Sequence, residues 1–473
     1  MIVSTREETA LTTPTTAPTI APAPVTVKRV TDYPAGRFER AVLNEITDPA
    51  ATAVFRQSWT ITQALRISKP IDNARLISAF RQVVARHETL RSRFVRRLEG
   101  WRLLVEDQHR TGPVITELGD VSSAEIAARI ESARREEFDV EAGPLFRIDL
   151  LKCGKRGDVL LVRAHHLVTD GWSQIQVCDE LVRAGFGMPF SGPKPLTYGA
   201  YLERFERAAT PALEAKYEAY WRRLLLPALP MPKIGRAAKG LAPNWTGLTL
   251  GPTTRLTGVM EAPAVARIHA LARAENCTLN NVVGAAFATV LARRGGVDGV
   301  YYNTPFAGRV HPDLRSFVGF VCDYVPVRCD VKEAGSLAAL SRAIGDQMRA
   351  SYQHMPASVT KCDSDFDDLI NTTGGHLRQF ECGMLLPESA VKGSLLAPVL
   401  DGELGRVIKL GPIEIEWLEA AGTRADAAEF DLRILERKGG LELILNYDTE
   451  AFEAQEAKDI LAEIVALLGT AQE

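Results

Sequence analysis

The residues His165-His166-Leu167-Val168-Thr169-Asp170-Gly171-Trp172-Ser173 form the densest group of polar functional side chains in the chain and hold two of its eight histidines. An imidazole with a pKa near ~6.5 is the usual side chain for taking a proton from an amine or hydroxyl nucleophile near neutral pH. Successive residues of a strand point to opposite faces, so only one member of the pair can face a given cavity while the other packs into the fold. His166 is the candidate base, with His165 beside it. The same alternation argues against a metal, because two imidazoles at consecutive strand positions do not readily share one ion. Asp170 lies four residues beyond His166. Its carboxylate could orient the imidazole as in a triad, or it could hold the loop by pairing with a buried arginine, for which Arg86, Arg91 and Arg309 are available. A serine nucleophile is poorly supported: there is no G-x-S-x-G elbow, and Ser173 falls at the opening of a helix.

The elements around this cluster follow from hydrophobic spacing. Val159-Leu160-Leu161-Val162 leads into it, and Ile175, Cys178, Leu181 and Val182 recur beyond it with a helical period, which places the cluster in a strand-loop-helix junction. Such junctions are common addresses for catalytic groups. Upstream, residues 74–94 carry Leu76, Ile77, Phe80, Val83, Val84 and Leu90 on one face of an amphipathic helix whose basic end runs into a strand-like stretch. Prolines and glycines from Pro227 onward predict an inter-lobe linker at 227–255. The second half repeats the α/β pattern. Helices are expected at about 263–275 and 279–295, followed by an irregular stretch at 303–309 and an apolar segment at 317–327. A hairpin, 430–435 against 441–446, precedes a closing helix to about Leu468.

With 473 residues the chain exceeds what one hydrophobic core supports, so the reading is an α/β protein of two lobes, 31–226 and 256–473, behind a flexible Thr/Pro/Ala-rich tail at 1–30. A formal charge of −3 supplies no bulk attraction for nucleic acid or anionic lipid. No apolar run is long enough to span a bilayer. Seven scattered cysteines without a C-x-x-C pair read as reduced thiols in a cytoplasmic protein rather than a disulfide framework or a zinc site.

The cluster resembles the HHxxxDGWS signature of nonribosomal peptide synthetase condensation domains, and the resemblance extends along the chain. Arg86-His87-Glu88-Thr89-Leu90-Arg91-Ser92-Arg93-Phe94 looks like the family's RHExLRxxF segment, and Pro305-Phe306-Ala307-Gly308-Arg309 with Phe317-Val318-Gly319-Phe320-Val321 is similar to its PxAGR and VGxFVN region. Trp221 stands where the family has a structural tryptophan. Together with Phe430-Asp431-Leu432 the match spans about residues 74 to 468 in the right order. Epimerization relatives usually carry DGVSW, cyclization relatives replace both histidines with aspartates, the plant acyltransferase branch has a DFGWG segment, and P450-recruiting relatives have lost the double histidine. A condensation-type transferase is what remains.

The resemblance implies two chloramphenicol-acetyltransferase-like lobes forming a V-shaped pseudo-dimer, with the HHxxxDG loop in a central tunnel. It implies that His166 is catalytic, that Asp170 is structural through an arginine pair, and that the Gly171 N–H approaches the reacting carbonyl. Two departures stand out. The family's first motif is not recognisable around Tyr33 to Leu43, and the usual FVNT reads Phe320-Val321-Cys322-Asp323, with a thiol and a carboxylate in place of an amide and a hydroxyl. Cys322 is expected to be a small core residue rather than a nucleophile, and His354 a loop residue.

There is no adenylation-type phosphate loop and no Gly-Gly-x-Ser attachment serine, and no intrinsic cofactor is expected. The chain therefore reads as a free-standing condensation enzyme. Its donor is an acyl or peptidyl group on the phosphopantetheine arm of a partner carrier protein, and its acceptor is a small-molecule or carrier-bound amine or alcohol. The alternatives are a non-catalytic carrier-docking module, or an acyltransferase or hydrolase using a soluble thioester such as acyl-CoA.

Overall fold

The computed structural model describes residues 19–20, 26–49, 51, 53–206, 210–236, 253–354, 380–383, 394, 407–418, 428–437 and 440–470. Two sheets organise the chain. The first runs, in spatial order, β1 (Thr19–Ile20), β6 (Val114–Glu117), β7 (Phe146–Lys152), β8 (Asp158–His165), β3 (Thr60–Ile67), β14 (Ile413–Trp417) and β13 (Val407–Leu410). The second runs β11 (Asp323–Cys329), β10 (Val300–Phe306), β12 (Phe380–Gly383), β15 (Phe430–Arg437), β16 (Gly440–Asp448) and β9 (Thr253–Glu261). A small sheet of β2 (Val30–Pro34), β5 (Gly100–Glu106) and β4 (Ser92–Arg97) flanks the first. The helices of the first lobe are α1 (Arg37–Ile46), α2 (Ala53–Ser58), α3 (Asn73–Arg86), α4 (Ser123–Arg134), α5 (Gly171–Gly185) and α6 (Tyr198–Tyr201), and α7 (Pro211–Leu225) leads into the second. There they are α8 (Ala262–Ala274), α9 (Leu279–Gly295), α10 (Val331–Ala334), α11 (Leu337–Tyr352) and α12 (Ala454–Gly469).

Strand β8 shows why the cluster sits where it does. Val159 and Leu161 pack with Ile126 and Ile130 of α4, while Leu160, Val162 and Ala164 face a larger core with Val83 of α3 and Val177 and Leu181 of α5. A strand covered on both faces reads as a mostly apolar run, and all of β8 is buried, Asp158, Arg163 and His165 included. Asp72 caps α3 through the Arg75 N–H and Asp170 caps α5 through the Ser173 N–H, each satisfying an orphan donor of a first turn. In the second lobe α9 is capped reciprocally by Thr278 and Asn281 and is apolar nearly all round, as a helix buried in the lobe core must be.

The lobes repeat one unit. In the first, β6 is parallel to β7, β7 antiparallel to β8, and β8 antiparallel to β3, with α5 following β8. In the second, β12 is parallel to β15, β15 antiparallel to β16, and β16 antiparallel to β9, with α12 following β16.

The chain exchanges segments between lobes, which corrects the boundaries read from sequence. Trp221 is fully buried in the second core beside Leu225 and Ile234, although it precedes residue 226. Leu314, Phe317, Val318 and Phe320 pack into the first core, and β14 joins β3 there. Of the expected linker, residues 227–236 are seated on the second lobe: Gly235 N–H donates to Glu456 Oε1 at 2.9 Å and Arg236 N–H to the Ala451 carbonyl at 2.7 Å. Residues 237–252 lie outside the described residues.

The expected tail is likewise partly ordered. Thr19 and Ile20 pair with Thr116 and Ile115, and Val30 opens β2. Strand addition uses backbone hydrogen bonds and asks little of side-chain apolarity, so a Thr/Pro composition does not exclude it. Residues 1–18 and 21–25 are outside the described set. The stretch 303–309 is not irregular throughout, since Asn303–Phe306 belongs to β10. Pro305 is tolerated because β12 pairs with β10 at Asn303, leaving the proline without a ladder partner on that side. Among the described residues, no helix is long and apolar enough to cross a membrane, no three His, Cys, Asp or Glu side chains cluster as metal ligands would, and six cysteines are free thiols.

Candidate active site at the lobe seam

The end of β8 separates the two histidines as strand alternation requires. His165 N–H donates to the Leu145 carbonyl at 2.9 Å and His166 N–H to the Trp59 carbonyl at 2.7 Å. His165 turns inward: its Nδ1 accepts the Leu167 N–H at 3.1 Å and its ring meets Phe138 edge-on at 6.3 Å. Burial, reinforced by the neighbouring imidazole, pushes its pKa down to about 3, so it is a neutral structural group. His166 turns the other way. Its ring sits between Trp59 at 5.7 Å and Phe320 at 4.8 Å, both edge-to-face, and it keeps part of its surface accessible. Its Nδ1 is buried with no hydrogen-bond partner. Burial lowers its pKa, opposed by the Asp170 charge and by its own backbone carbonyl and reinforced by Arg309, which leaves a neutral imidazole able to accept a proton.

Asp170 is completely buried and fully engaged. Oδ1 accepts the Ser173 N–H and Arg309 Nη2, both at 2.9 Å, while Oδ2 accepts Arg309 Nη1 and the N–H groups of Val321 and Cys322, each at 3.1 Å. Burial by itself would raise this carboxyl, but the bidentate guanidinium and the backbone donors bring it below the usual carboxylate range. The two readings open at the sequence level are thereby separated: Asp170 pairs with Arg309 and does not bond the His166 ring. Arg309 is anchored further by the Ala307 carbonyl at 2.9 Å and the Ser173 hydroxyl at 2.9 Å. Gly308, directly before it, has φ +70, and a Cβ there would lie 2.1 Å from the Val321 carbonyl oxygen, so the turn that aims Arg309 requires glycine.

Further bonds fasten the 315–319 run of the second half to the first lobe. Ser173 Oγ donates to the Gly319 carbonyl, Trp172 Nε1 to the Arg315 carbonyl at 3.0 Å and Thr89 Oγ1 to the Val318 carbonyl at 2.9 Å. Around the cluster His166, Gly171, Cys322 and Asp323 retain partial exposure while Val168, Thr169, Asp170, Trp172 and Ser173 are buried. Gly171 is the first residue of α5, and its N–H belongs to the first turn, where helical amides lack an internal acceptor.

Arg86 and Arg91 do not reach Asp170. Arg86 Nε donates to Glu180 at 3.2 Å and Arg86 Nη2 to the Pro193 carbonyl, while Arg91 donates to the carbonyls of Glu106 and Val84. Their position explains this: Arg86 ends α3, where Glu180 of α5, shared with His87 at 2.7 Å, ties the two helices together, and Arg91 ends the 3-10 turn that follows at Glu88–Arg91. Arg86 thus supports α5 along its length rather than at its N-terminal end. Trp221 is remote in the second core, and His354 follows α11, stacked on Tyr220 at 4.1 Å. Two residues that shape the imidazole, Trp59 and Phe320, were not singled out as site residues by the sequence reading. The only prior signal was an aromatic at the start of a strand and another inside the FVNT-like run.

A partly accessible histidine thus sits beside a loop locked by an Asp–Arg pair, in a mixed α/β architecture of two sheet-centred lobes. The model of the condensation domain matches residues 53–369, most of the chain. The chain belongs to the condensation-domain family. Chondramide synthase cmdD of Chondromyces crocatus is 26% identical over 406 residues, 81% of this chain and 9% of that protein. Phosphinothricin tripeptide synthetase PhsB of Streptomyces viridochromogenes is 27% identical over 429 residues, 88% of this chain and 34% of its own length. The chain thus spans only a small part of these curated relatives. Among solved structures, the X-domain from teicoplanin biosynthesis matches with TM-score 0.72 at 18% identity, covering 94% of this chain and 96% of that one. SgcC5 from Streptomyces globisporus matches with TM-score 0.67 at 20% identity, covering 93% and 98%. The fold is the two-lobed, chloramphenicol-acetyltransferase-like one that the sequence resemblance implies.

Proposed function

We propose that this chain transfers an acyl group from a carrier-protein thioester to an amine or alcohol, in the cytoplasm, as part of nonribosomal peptide or hybrid polyketide assembly. The observation that carries this reading is the neutral, partly accessible His166 beside an Asp170 whose oxygens are already occupied. The histidine is thereby the free proton acceptor and the aspartate is the brace. In the reaction His166 accepts the nucleophile's proton as the nitrogen or oxygen attacks the thioester carbonyl carbon. The C–S bond then breaks, and the departing thiolate takes the proton held by the His166 imidazolium, which returns the ring to its neutral form. The Gly171 N–H is placed to meet the carbonyl oxygen as charge develops there. Holding two substrates side by side contributes independently of proton transfer.

Incubation of the protein with a panel of acyl-carrier thioesters and small nucleophiles, followed by intact mass, tests the reading. Amide or ester product supports it. Hydrolysis alone, or equal kcat/KM for a carrier-bound acyl group and its short pantetheine analogue, favours a soluble-thioester enzyme, because remote binding contributions vanish when a substrate is truncated. Carrier binding without turnover favours a docking module.

A further inference from the structure

The run that reaches from the second half onto the catalytic loop ends in a carboxylate whose partner is missing. Phe320 touches the His166 ring, the Val321 and Cys322 N–H groups bind Asp170, and Asp323 follows at once as the first residue of β11. Asp323 Oδ1 accepts the Tyr324 N–H at 2.8 Å, but Oδ2 is buried with no hydrogen-bond partner, although the residue as a whole keeps part of its surface accessible. The carboxyl is acted on by burial, by the Tyr324 N–H and by the charge of Arg37 at the start of α1, while the adjacent Cys322 thiol is pushed well up by burial and by the Asp170 charge and so stays neutral. A carboxylate oxygen left unsatisfied in a buried position is unfavourable by itself, so a site of this kind becomes stable when a ligand supplies the donor.

We propose, on the transferase reading above, that Asp323 Oδ2 receives the ammonium group of an amine acceptor and so makes the enzyme amide-forming. An alcohol offers a single neutral donor and no countercharge, whereas an amine at neutral pH arrives as a cation with N–H groups to spare. Charge-assisted pairs of this kind are roughly twice as strong as neutral ones. Burial raises the Asp323 carboxyl to about 7, so the pairing strengthens as pH rises through that value.

The experiment uses the donor–acceptor pairs found active in the product panel. Asp323→Asn keeps the oxygen that accepts the Tyr324 N–H. It should raise the KM for the amine by about tenfold or more, the scale of a charge-assisted hydrogen bond, while the donor KM stays within about twofold. An unchanged amine KM in Asp323→Asn overturns the assignment. In the unaltered protein, the amine KM at saturating donor should fall as pH rises from 6 to 8 and the carboxyl ionises, which keeps the proposal testable even if the variant misfolds. A flat profile overturns it. A panel that yields esters and no amides removes the assignment while leaving the transferase standing, and a panel with no transfer product removes both.

Discussion

The junctions β8 to α5 and β16 to α12 are the same topological event, an antiparallel strand running into the helix that closes its lobe, yet they are built differently. At the second, Asp448 Oδ1 accepts the N–H groups of Glu450 and Ala451, and Phe452 fills the space against Phe430 at 4.3 Å. These two carboxylate hydrogen bonds are local, the Ala451 carbonyl accepts the Arg236 N–H at 2.7 Å, and the interior is aromatic. The first is held from a distance: Arg309, Val321 and Cys322 reach Asp170 from at least 139 residues away in the chain. Topology therefore provides a place where a strand end and a helix start come together, and side-chain content decides whether that place does chemistry. On the transferase reading, a loop that carries reacting groups cannot also be packed shut, and its rigidity comes from segments of the second half of the chain.

Breaking that remote support should have the largest effect. Asp170→Ala leaves Arg309 buried without a countercharge, at a typical cost of ~3–5 kcal/mol in urea unfolding, and should abolish transfer along with it. The double replacement Asp170→Asn with Arg309→Met should recover part of the stability and none of the activity. If Asp170→Ala proves fully stable yet inactive, the brace is not what distinguishes the first junction.

Removing the chemistry while keeping the brace comes next. His166→Ala should lower transfer by ~10²–10⁴-fold, with the melting temperature nearly unchanged. Retention of more than about a third of the rate would remove His166 from the mechanism and reduce the two junctions to equivalents.

A subtler difference concerns protons. His165 has a folded pKa near 3 against ~6.5 in the unfolded chain, so below about pH 6.5 the unfolded state binds a proton that the native state refuses. Its contribution therefore declines as pH falls from 6.5 toward 3. Unfolding free energies measured between pH 7 and pH 4.5 should drop more steeply for the unaltered protein than for His165→Asn. Parallel curves would show that the inward histidine carries no such linkage. At the second junction the smallest effect is expected: Phe452→Leu should cost about 1 kcal/mol and leave kcat unchanged, as a near volume-conserving core change does. A fall in kcat would mean that the two junctions communicate.

Much of this was legible in the chain because it rests on local pattern. The apolar run into His165, the helical spacing after Ser173, the pairing of 430–437 with 440–447 and the long helices of the second half are set by periods of two and 3.6 that neighbouring residues impose on one another. The opposed orientation of His165 and His166 follows from the same geometry. What sequence could not choose among was Arg86, Arg91 and Arg309 as the partner of Asp170, since all three are equally cationic. Only the packed structure separates them, because the end of α3 places Arg86 against Glu180, the following turn places Arg91 against backbone carbonyls, and the Gly308 turn aims Arg309 at Asp170. The exchange of Trp221 into the second core, of Phe317 and Phe320 into the first, and of β14 onto β3 is likewise a tertiary decision. Hydrophobic pattern says that a face will be buried and not by which lobe, and that choice is made by the burial available when two sheets close over a shared seam.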